Sequence, residues 1–477
     1  MKNNVKKNFI YNIIYQILIL IIPLICAPYL SRTLGSSGIG TYSYVYSIVY
    51  YFMIFTLLGV ENYGNRTIAK NRDNREKKSK SFLEIYCFQF FCGLILLIIY
   101  LLLCSILNLD NKIIFIVESL FIVSSMFDIN WFFFGIEKFK ATITRNVVVK
   151  VLSLILIFMF VKTENDLWKY ALIMSVSTLL SQLLLFPFLK NEIDFYKIKT
   201  KDIIKHIIPN LKLFIPVIAV SIFKMIDKVM IGLFSTMNQV GFYENAEKLI
   251  KVPVSLISAL GVVMMPRITN LLTKQDDENV KRYILNSIKF INFISFPMMF
   301  GLMAIAKIFV PIFYGEEFAE SSTVLILLSL TIPVLGWSNV IRTQYLIPKE
   351  KDKVYICSAI WGAIINIIIN IIFIPKYGAV GACFGTILSE IFVAFIQSFS
   401  VRNELYFKTY KRCLIRPIIT GLIMLLITNI VYFPTLSKVS NLFLKIIIAC
   451  IVYFILNINY ILTIVDINKI IKKIIKK

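Results

Sequence analysis

Leu94-Ile-Leu-Leu-Ile-Ile-Tyr-Leu-Leu-Leu103 is a run of ten residues whose only polar atom is one tyrosine hydroxyl. It does not alternate, so it is no strand of a membrane barrel, in which lipid-facing and lumen-facing residues take turns. Followed outward it fills an apolar stretch over 82–105. As a helix rising ~1.5 Å per residue, that stretch crosses a hydrocarbon core ~30 Å thick. The same criterion marks fourteen stretches, near 9–30, 41–60, 82–105, 112–134, 144–161, 167–189, 211–234, 251–270, 283–310, 322–347, 354–374, 378–399, 413–433 and 441–464. The composition agrees: 58% of the 477 residues are hydrophobic and 16% charged, with a mean hydropathy of +0.78. A soluble domain runs at about 45–50% apolar and about 25% charged. The sequence therefore predicts an all-α, polytopic membrane protein of about 14 transmembrane helices.

Little else fits between the spans. The longest connections, about 61–81 and 190–210, are charged and short of core-forming residues, so no soluble catalytic domain is expected. Lys2, Lys6 and Lys7 before an apolar stretch resemble a signal peptide, but the stretch is too long and Pro28 follows the small-residue site Ile25-Cys26-Ala27. It reads as a retained first span. The eight cysteines lie in or beside apolar spans without zinc-type spacing, as small packing residues do.

The net charge of +24 is mostly a record of orientation. Lys and Arg collect on the cytoplasmic side of membrane proteins. In the fourteen-span scheme the two termini and the even-numbered loops hold 36 of the 51 basic residues, the odd-numbered loops hold nine, and six lie inside spans. Removing one span would invert every later loop and destroy the alternation. The scheme predicts both termini in the cytoplasm, with the block Arg72–Lys80 and the tail 469–477 held against anionic headgroups rather than nucleic acid.

An internal repeat is also visible. Tyr29-Leu-Ser-Arg-Thr-Leu-Gly-Ser-Ser-Gly-Ile-Gly-Thr-Tyr42 follows span 1, and Met230-Ile-Gly-Leu-Phe-Ser-Thr-Met-Asn-Gln-Val-Gly-Phe-Tyr243 follows span 7. Gly40 matches Gly241 and Tyr42 matches Tyr243. An even number of spans lies between, so the halves are parallel. The expected organisation is a lobe of spans 1–6 (1–200), a lobe of spans 7–12 (201–400) and a trailing pair with a basic tail (401–477). Prolines at 23, 28, 216, 297 and 333 are expected to kink their spans.

Ionisable groups inside the bilayer cost several kcal/mol by contested scales and are functional candidates for that reason. Lys224, Asp227 and Lys228 share span 7, with the two lysines at i,i+4 on one face. They form either a self-neutralised ion pair that anchors the helix or a cationic lining for an anionic substrate. Lys150, two turns into span 5, either lines a cavity or snorkels, and Arg342 lies near the inner end of span 10. Arg32 and Arg66 flank spans 1 and 2. Among acids, Glu118 and Asp128 are placed in span 4 and Glu61 at the end of span 2, any of which could carry a coupling proton or pair with a lysine. There is no G-x-x-x-x-G-K-[ST] loop, and the single histidine, His206, stands in a polar connector without metal-ligand neighbours. The pattern points to transport, not to an enzyme, and implies no cofactor or metal.

The motifs carry a resemblance. Pro28 to Tyr42, then Leu58-Gly-Val-Glu-Asn-Tyr-Gly-Asn-Arg66, resembles the Wzx-type oligosaccharide flippases, relatives of the multidrug MATE transporters and the lipid II flippase. Trp131-Phe-Phe-Phe-Gly-Ile-Glu-Lys-Phe-Lys140, Asp227-Lys-Val-Met-Ile-Gly232, Val240-Gly-Phe-Tyr-Glu-Asn-Ala246, Phe313-Tyr-Gly-Glu-Glu-Phe318 and Tyr377-Gly-Ala-Val-Gly-Ala382 are similar to further signatures of that family. The likeness runs over about residues 8–400. It implies a MATE-like V-shaped carrier of the bacterial cytoplasmic membrane. By alternating access, that carrier would move undecaprenyl-pyrophosphate-linked oligosaccharide to the outer leaflet for capsule, exopolysaccharide, O-antigen or teichoic-type polymers. The polymerase and chain-length regulator of the pathway are the implied partners. A cationic central cavity would hold the pyrophosphate, which brings forward Arg32 and Arg66 on the motifs and the cationic reading of Lys224 and Lys228. A cation-coupled multidrug antiporter and a polysaccharide polymerase are the alternatives.

Overall fold

The computed structural model describes residues 2–431 and 433–464; the basic tail singled out above lies outside the described residues. These are helical throughout, with no strand among them. Contacts divide the chain into Met1–Gly241 and Phe242–Lys477. The first unit holds α1 (Lys2–Leu57), α2 (Val60–Asn71), α3 (Arg75–Ile106), α4 (Lys112–Met126), α5 (Asn130–Gly135), α6 (Phe139–Phe160), α7 (Leu167–Leu183), α8 (Phe186–Leu189), α9 (Thr200–Ile204) and α10 (Ile207–Phe234). Then follow α11 (Met237–Thr273), α12 (Asp277–Tyr314), α13 (Ser321–Ser329), α14 (Thr331–Ile341), α15 (Asp352–Tyr377), α16 (Ala379–Ser400), α17 (Phe407–Ile430) and α18 (Lys438–Ile464).

Twelve helical stretches among the described residues are long and apolar enough to cross a membrane. The first, Ile21–Asn71, counts 51 residues, or about 76 Å of helix at ~1.5 Å per residue, more than twice the hydrocarbon thickness. It is interrupted at Gly35 (φ 67, ψ 179) and again at Leu58 and Gly59 (φ 40 and 83), so it contains more than one span. The span expected over 211–234 falls in α10, several of whose side chains lie outside the description. An all-α fold of twelve to fourteen spans results.

α3 shows why such a sequence needs lipid. Its stretch around Leu94–Leu103 buries only the stripe containing Gly93, Tyr100 and Cys104, while Ile95, Ile98, Leu102 and Ile106 are exposed on the protein surface. Spacings of seven and four residues put the buried side chains on one helical face. The rest is apolar all round, which is stable only against hydrocarbon.

Two apolar cores organise the first unit. One gathers Tyr100, Ile114, Phe121, Ile122 and Ala171 where α3, α4 and α7 meet Val45 and Val49 of α1. The other joins Ile68 of α2, Phe82 and Phe88 of α3, Trp131 and Phe132 of α5, and Leu185 and Leu189. In the second unit α12 packs against α13, α14, α17 and α18, with Phe296, Phe300, Met424 and Tyr453 at one such contact. α1 runs on through Pro23 and Pro28, and α12 through Pro297. Pro333 lies in the first turn of α14, where a missing N–H costs least. Pro216 has its side chain outside the description.

Candidate functional site

Two broken helices build a polar pocket inside the first unit. After the left-handed pair Leu58–Gly59 the chain restarts as α2, which puts Glu61 in its first turn. α4 stops at Met126 and the chain restarts at Asn130 as α5, which leaves Asp128 in the gap between them. A gap of this kind frees backbone groups that need partners where no water is at hand. Gln89, fully buried on α3, supplies them: its Nε2 donates to the carbonyls of Ser125 (2.7 Å) and Asp128 (2.9 Å). The Gln89 Oε1 accepts from Trp131 Nε1 at 3.0 Å.

Asp128 Oδ1 accepts from Asn130, from the backbone N at 2.9 Å and from Nδ2 at 2.7 Å. Arg145, buried on α6, donates to Asn130 Oδ1 (3.1 Å) and Asn146 Oδ1 (2.8 Å). Gln182 of α7 accepts from Asn130 Nδ2 at 3.2 Å, and Ser181 donates to Asn146 at 2.8 Å. The resulting cavity, about 130 Å³, is lined by Leu57, Glu61, Asp128, Asn130, Trp131, Phe134 and Asn146. Glu61 makes no hydrogen bond or ion pair among the described residues, and its carboxylate feels the negative charge of Asp128.

A second group lies where α10 packs on α1. Asp227 and Lys228 are both buried. The charge of Asp227 acts on Tyr51, and that of Lys228 on Tyr50 and Tyr51. Lys224 is on the same helix, with its side chain outside the described residues.

The other expected residues are scattered. Arg32 is exposed on α1, and Arg66 is exposed on α2, five positions beyond Glu61. Lys150 is half-buried on α6. Glu118 is completely buried on α4, and both its carboxyl oxygens lack a hydrogen-bond partner among the described residues. Arg342 opens a π-helical turn in the second unit and rests its guanidinium 5.5 Å from the centre of the Tyr355 ring. Glu61 and Asp128 thus meet at one cavity and Asp227 and Lys228 share one interface, while Glu118, Lys150 and Arg342 join neither. Sequence reasoning passed over Arg145, Gln89, Asn130, Gln182 and Asn146. Their signal was available: amides within apolar spans are as anomalous as charges, because each must find a partner away from water.

A family model described as "Polysaccharide biosynthesis protein" matches residues 5–272, more than half of the chain. A protein of Shigella dysenteriae named "Putative O-antigen transporter" is 24% identical over 407 residues, spanning 83% of this chain and 100% of its own length. Its namesake in Escherichia coli (strain K12) is 23% identical, over 84% of this chain and 98% of its own. Among solved structures, the lipid II flippase MurJ in an inward closed conformation superposes with a TM-score of 0.74 at 20% identity, covering 94% of this chain and 98% of that one. An inward-facing multidrug resistance MATE transporter of the MOP superfamily gives 0.62 at 14% identity, covering 83% and 96%. The MurJ/MATE-like helical fold expected from the motifs is therefore present.

Proposed function

The chain belongs to the polysaccharide biosynthesis protein family, and from that premise we propose that it is a flippase for lipid-linked oligosaccharide repeat units. The substrate in this reading is an undecaprenyl-pyrophosphate-linked oligosaccharide, moved from the cytoplasmic to the outer leaflet of a bacterial inner membrane by alternating access. The polymer assembled outside is a capsule, exopolysaccharide, O-antigen or teichoic-type chain, with a polymerase and a chain-length regulator as downstream partners. The observation that carries it is the sequence kinship, over more than four-fifths of the chain, with proteins named O-antigen transporters. The multidrug transporters share the fold, at lower structural similarity. Both termini are placed in the cytoplasm on the charge distribution, and the three-part lobe organisation follows from the repeat.

The chemistry required is modest. A pyrophosphate needs two or three cations at close range in a low-dielectric setting, and a guanidinium fork suits it better than a point charge. Arg32, Arg66, Lys150, Lys224 and Lys228, with Arg342 of the second unit, are the groups assigned to it. Asp227, Asp128, Glu118 and Glu61 are assigned to charge pairing or coupling. The test is polymer export in a deletion strain carrying variants. Arg66→Ala and Lys224→Ala are expected to abolish export with the protein still in the membrane. Wild-type polymer from both would remove the cation assignment. Altered drug efflux with intact polysaccharide in the deletion strain would favour an antiporter, and accumulated single repeat units a polymerase.

A further inference from the structure

The Glu61–Asp128 cavity is not built to hold a pyrophosphate. Two acidic side chains border it, and the negative charge they carry between them repels a second anion. Its remaining lining is Leu57, Trp131, Phe134 and the amides of Asn130 and Asn146. Convergent polar groups beside a few apolar residues make a small-molecule site. We propose that this cavity is a subsite for one uncharged pyranose ring of the oligosaccharide, resting on the flippase reading above.

Size, polarity and rigidity agree with that occupant. The cavity, about 130 Å³, has room for at most a single ring and not for a chain of them. Sugar hydroxyls donate and carboxyl oxygens accept, so Glu61 and Asp128 are matched to the donors that a pyranose carries around its rim. Asn130 is fixed by Asp128, Arg145 and Gln182, and Asn146 by Arg145 and Ser181, so both amides are oriented before a ligand arrives. Trp131 is locked through its Nε1 onto Gln89, and its ring, buried against Gly64 and Phe82, fixes the backbone on which Asn130 stands. Preorganisation of this kind reduces what binding must order. The carrier then separates two parts of its substrate, cations meeting the pyrophosphate and this acidic cavity accepting a neutral sugar. A hexuronate is rejected by the same charges.

Intrinsic fluorescence reads the cavity directly. In full-length protein with Trp168, Trp337 and Trp361 replaced by Phe, Trp131 is the remaining tryptophan. Titration with methyl glycosides of a neutral hexose and an N-acetylhexosamine is expected to give a saturable change, with a methyl hexuronate binding at least tenfold more weakly. Glu61→Ala and Asn146→Ala are each expected to weaken the neutral glycosides about tenfold. Glu61→Gln, which removes the charge but keeps an acceptor, narrows the gap between neutral and acidic sugars. Equilibrium binding of a radiolabelled methyl glycoside to the unsubstituted chain supplies the same comparison if the triple tryptophan variant fails to fold. No saturable binding of any glycoside overturns the subsite, as does a signal that follows sodium or pH and ignores sugar. Flipping of a lipid-linked oligosaccharide in proteoliposomes, measured alongside, separates the two claims. Flipping without glycoside binding removes the subsite alone, and glycoside binding without flipping removes the transport reading alone.

Discussion

Gly64 illustrates how much of the site depends on one missing side chain. A Cβ there would lie 2.4 Å from Cε3 of Trp131, so α2 and α5 approach as closely as a bare α-carbon permits. That approach holds Trp131 against the cavity that Glu61 and Asp128 also line. Gly64→Val is therefore expected to cost about 1–3 kcal/mol, the range for overpacking a fitted core, and to lower the apparent Tm of the purified protein. Gly301 is the internal control: nothing lies within 4 Å of its added Cβ, so Gly301→Ala leaves Tm unchanged or raises it. An equal loss in both would show that helix glycines, not the Trp131 contact, set the effect. At this scale the sequence is an uneven guide. Glu61, Arg66 and Trp131 stand in quotable motifs, and their importance is legible there. Arg145 is not, because a basic residue near a cytoplasmic loop is indistinguishable by position from the many that only record topology. Only packing shows its guanidinium turned inward onto Asn130 and Asn146.

Between elements, the loop joining α9 to α10 is held by a clasp that no spacing rule would have found. His206, buried just before α10, bonds through Nδ1 to the Tyr63 hydroxyl of α2 and through Nε2 to Glu84 of α3, both at 2.8 Å. Lys205 adds an ion pair to the same carboxylate at 2.9 Å. One turn on, the α1–α2 break rests on α10, where a Cβ on Gly59 would meet the Asn210 carbonyl at 2.7 Å. His206→Ala and Glu84→Ala are each expected to destabilise by about 1–3 kcal/mol, since each strands a buried partner. The double variant should cost clearly less than their sum; strict additivity in apparent Tm would mean the two residues act separately. The α16–α17 connection is tied down by charge instead. Glu404 accepts from Tyr345 at 2.7 Å and from Lys351, with Lys349 nearby. Partial burial would raise its carboxyl, but those partners outweigh it and hold the group below the usual carboxylate range. A depressed folded value means the stabilisation is complete above the unfolded value, about 4.3, and is lost as pH falls through the folded one. Glu404→Gln should thus lower Tm at pH 7, with the gap to wild type closing below about pH 4; a gap independent of pH would exclude the ion-pair origin. Helix existence was legible from apolar runs, since hydrophobicity alone dictates it. The breaks at Asp128 and Leu58–Gly59 were not, because their setting is tertiary: a Gln89 amide on another helix satisfies carbonyls freed at the first, and the second lies against the α10 backbone.

At the scale of the whole molecule, the matched glycines of the proposed repeat lie in close contact. A Cβ on Gly40 would strike the Met237 carbonyl at 1.7 Å, and one on Gly241 the Ser36 carbonyl at 2.2 Å. The two motif copies cross at their matched glycines, inside Met1–Gly241. The matched tyrosines diverge in parallel fashion: Tyr42 packs its ring 4.6 Å from Tyr170 of α7, and the Tyr243 hydroxyl bonds Thr386 of α16 at 2.9 Å. Each thus reaches the sixth expected span of its own half. Parallel halves separated by an even number of spans start on the same side of the membrane, and this ties the repeat to the charge distribution. If both are right, all 36 residues of the termini and even-numbered loops face the cytoplasm, including the lysines at 469–477. Reporter fusions decide it. Green fluorescent protein joined after Lys477 should fluoresce, and alkaline phosphatase joined there should be inactive. Phosphatase inserted in the short connection after α3, at Asn108, should be active, and inserted after Asp194, in the connection before α9, inactive again. An active phosphatase at Lys477 together with an inactive one at Asn108 would invert the whole scheme. Activity at Lys477 and Asn108 alike would instead mean an odd number of spans, and activity at Asp194 and Asn108 alike would remove the parallel repeat.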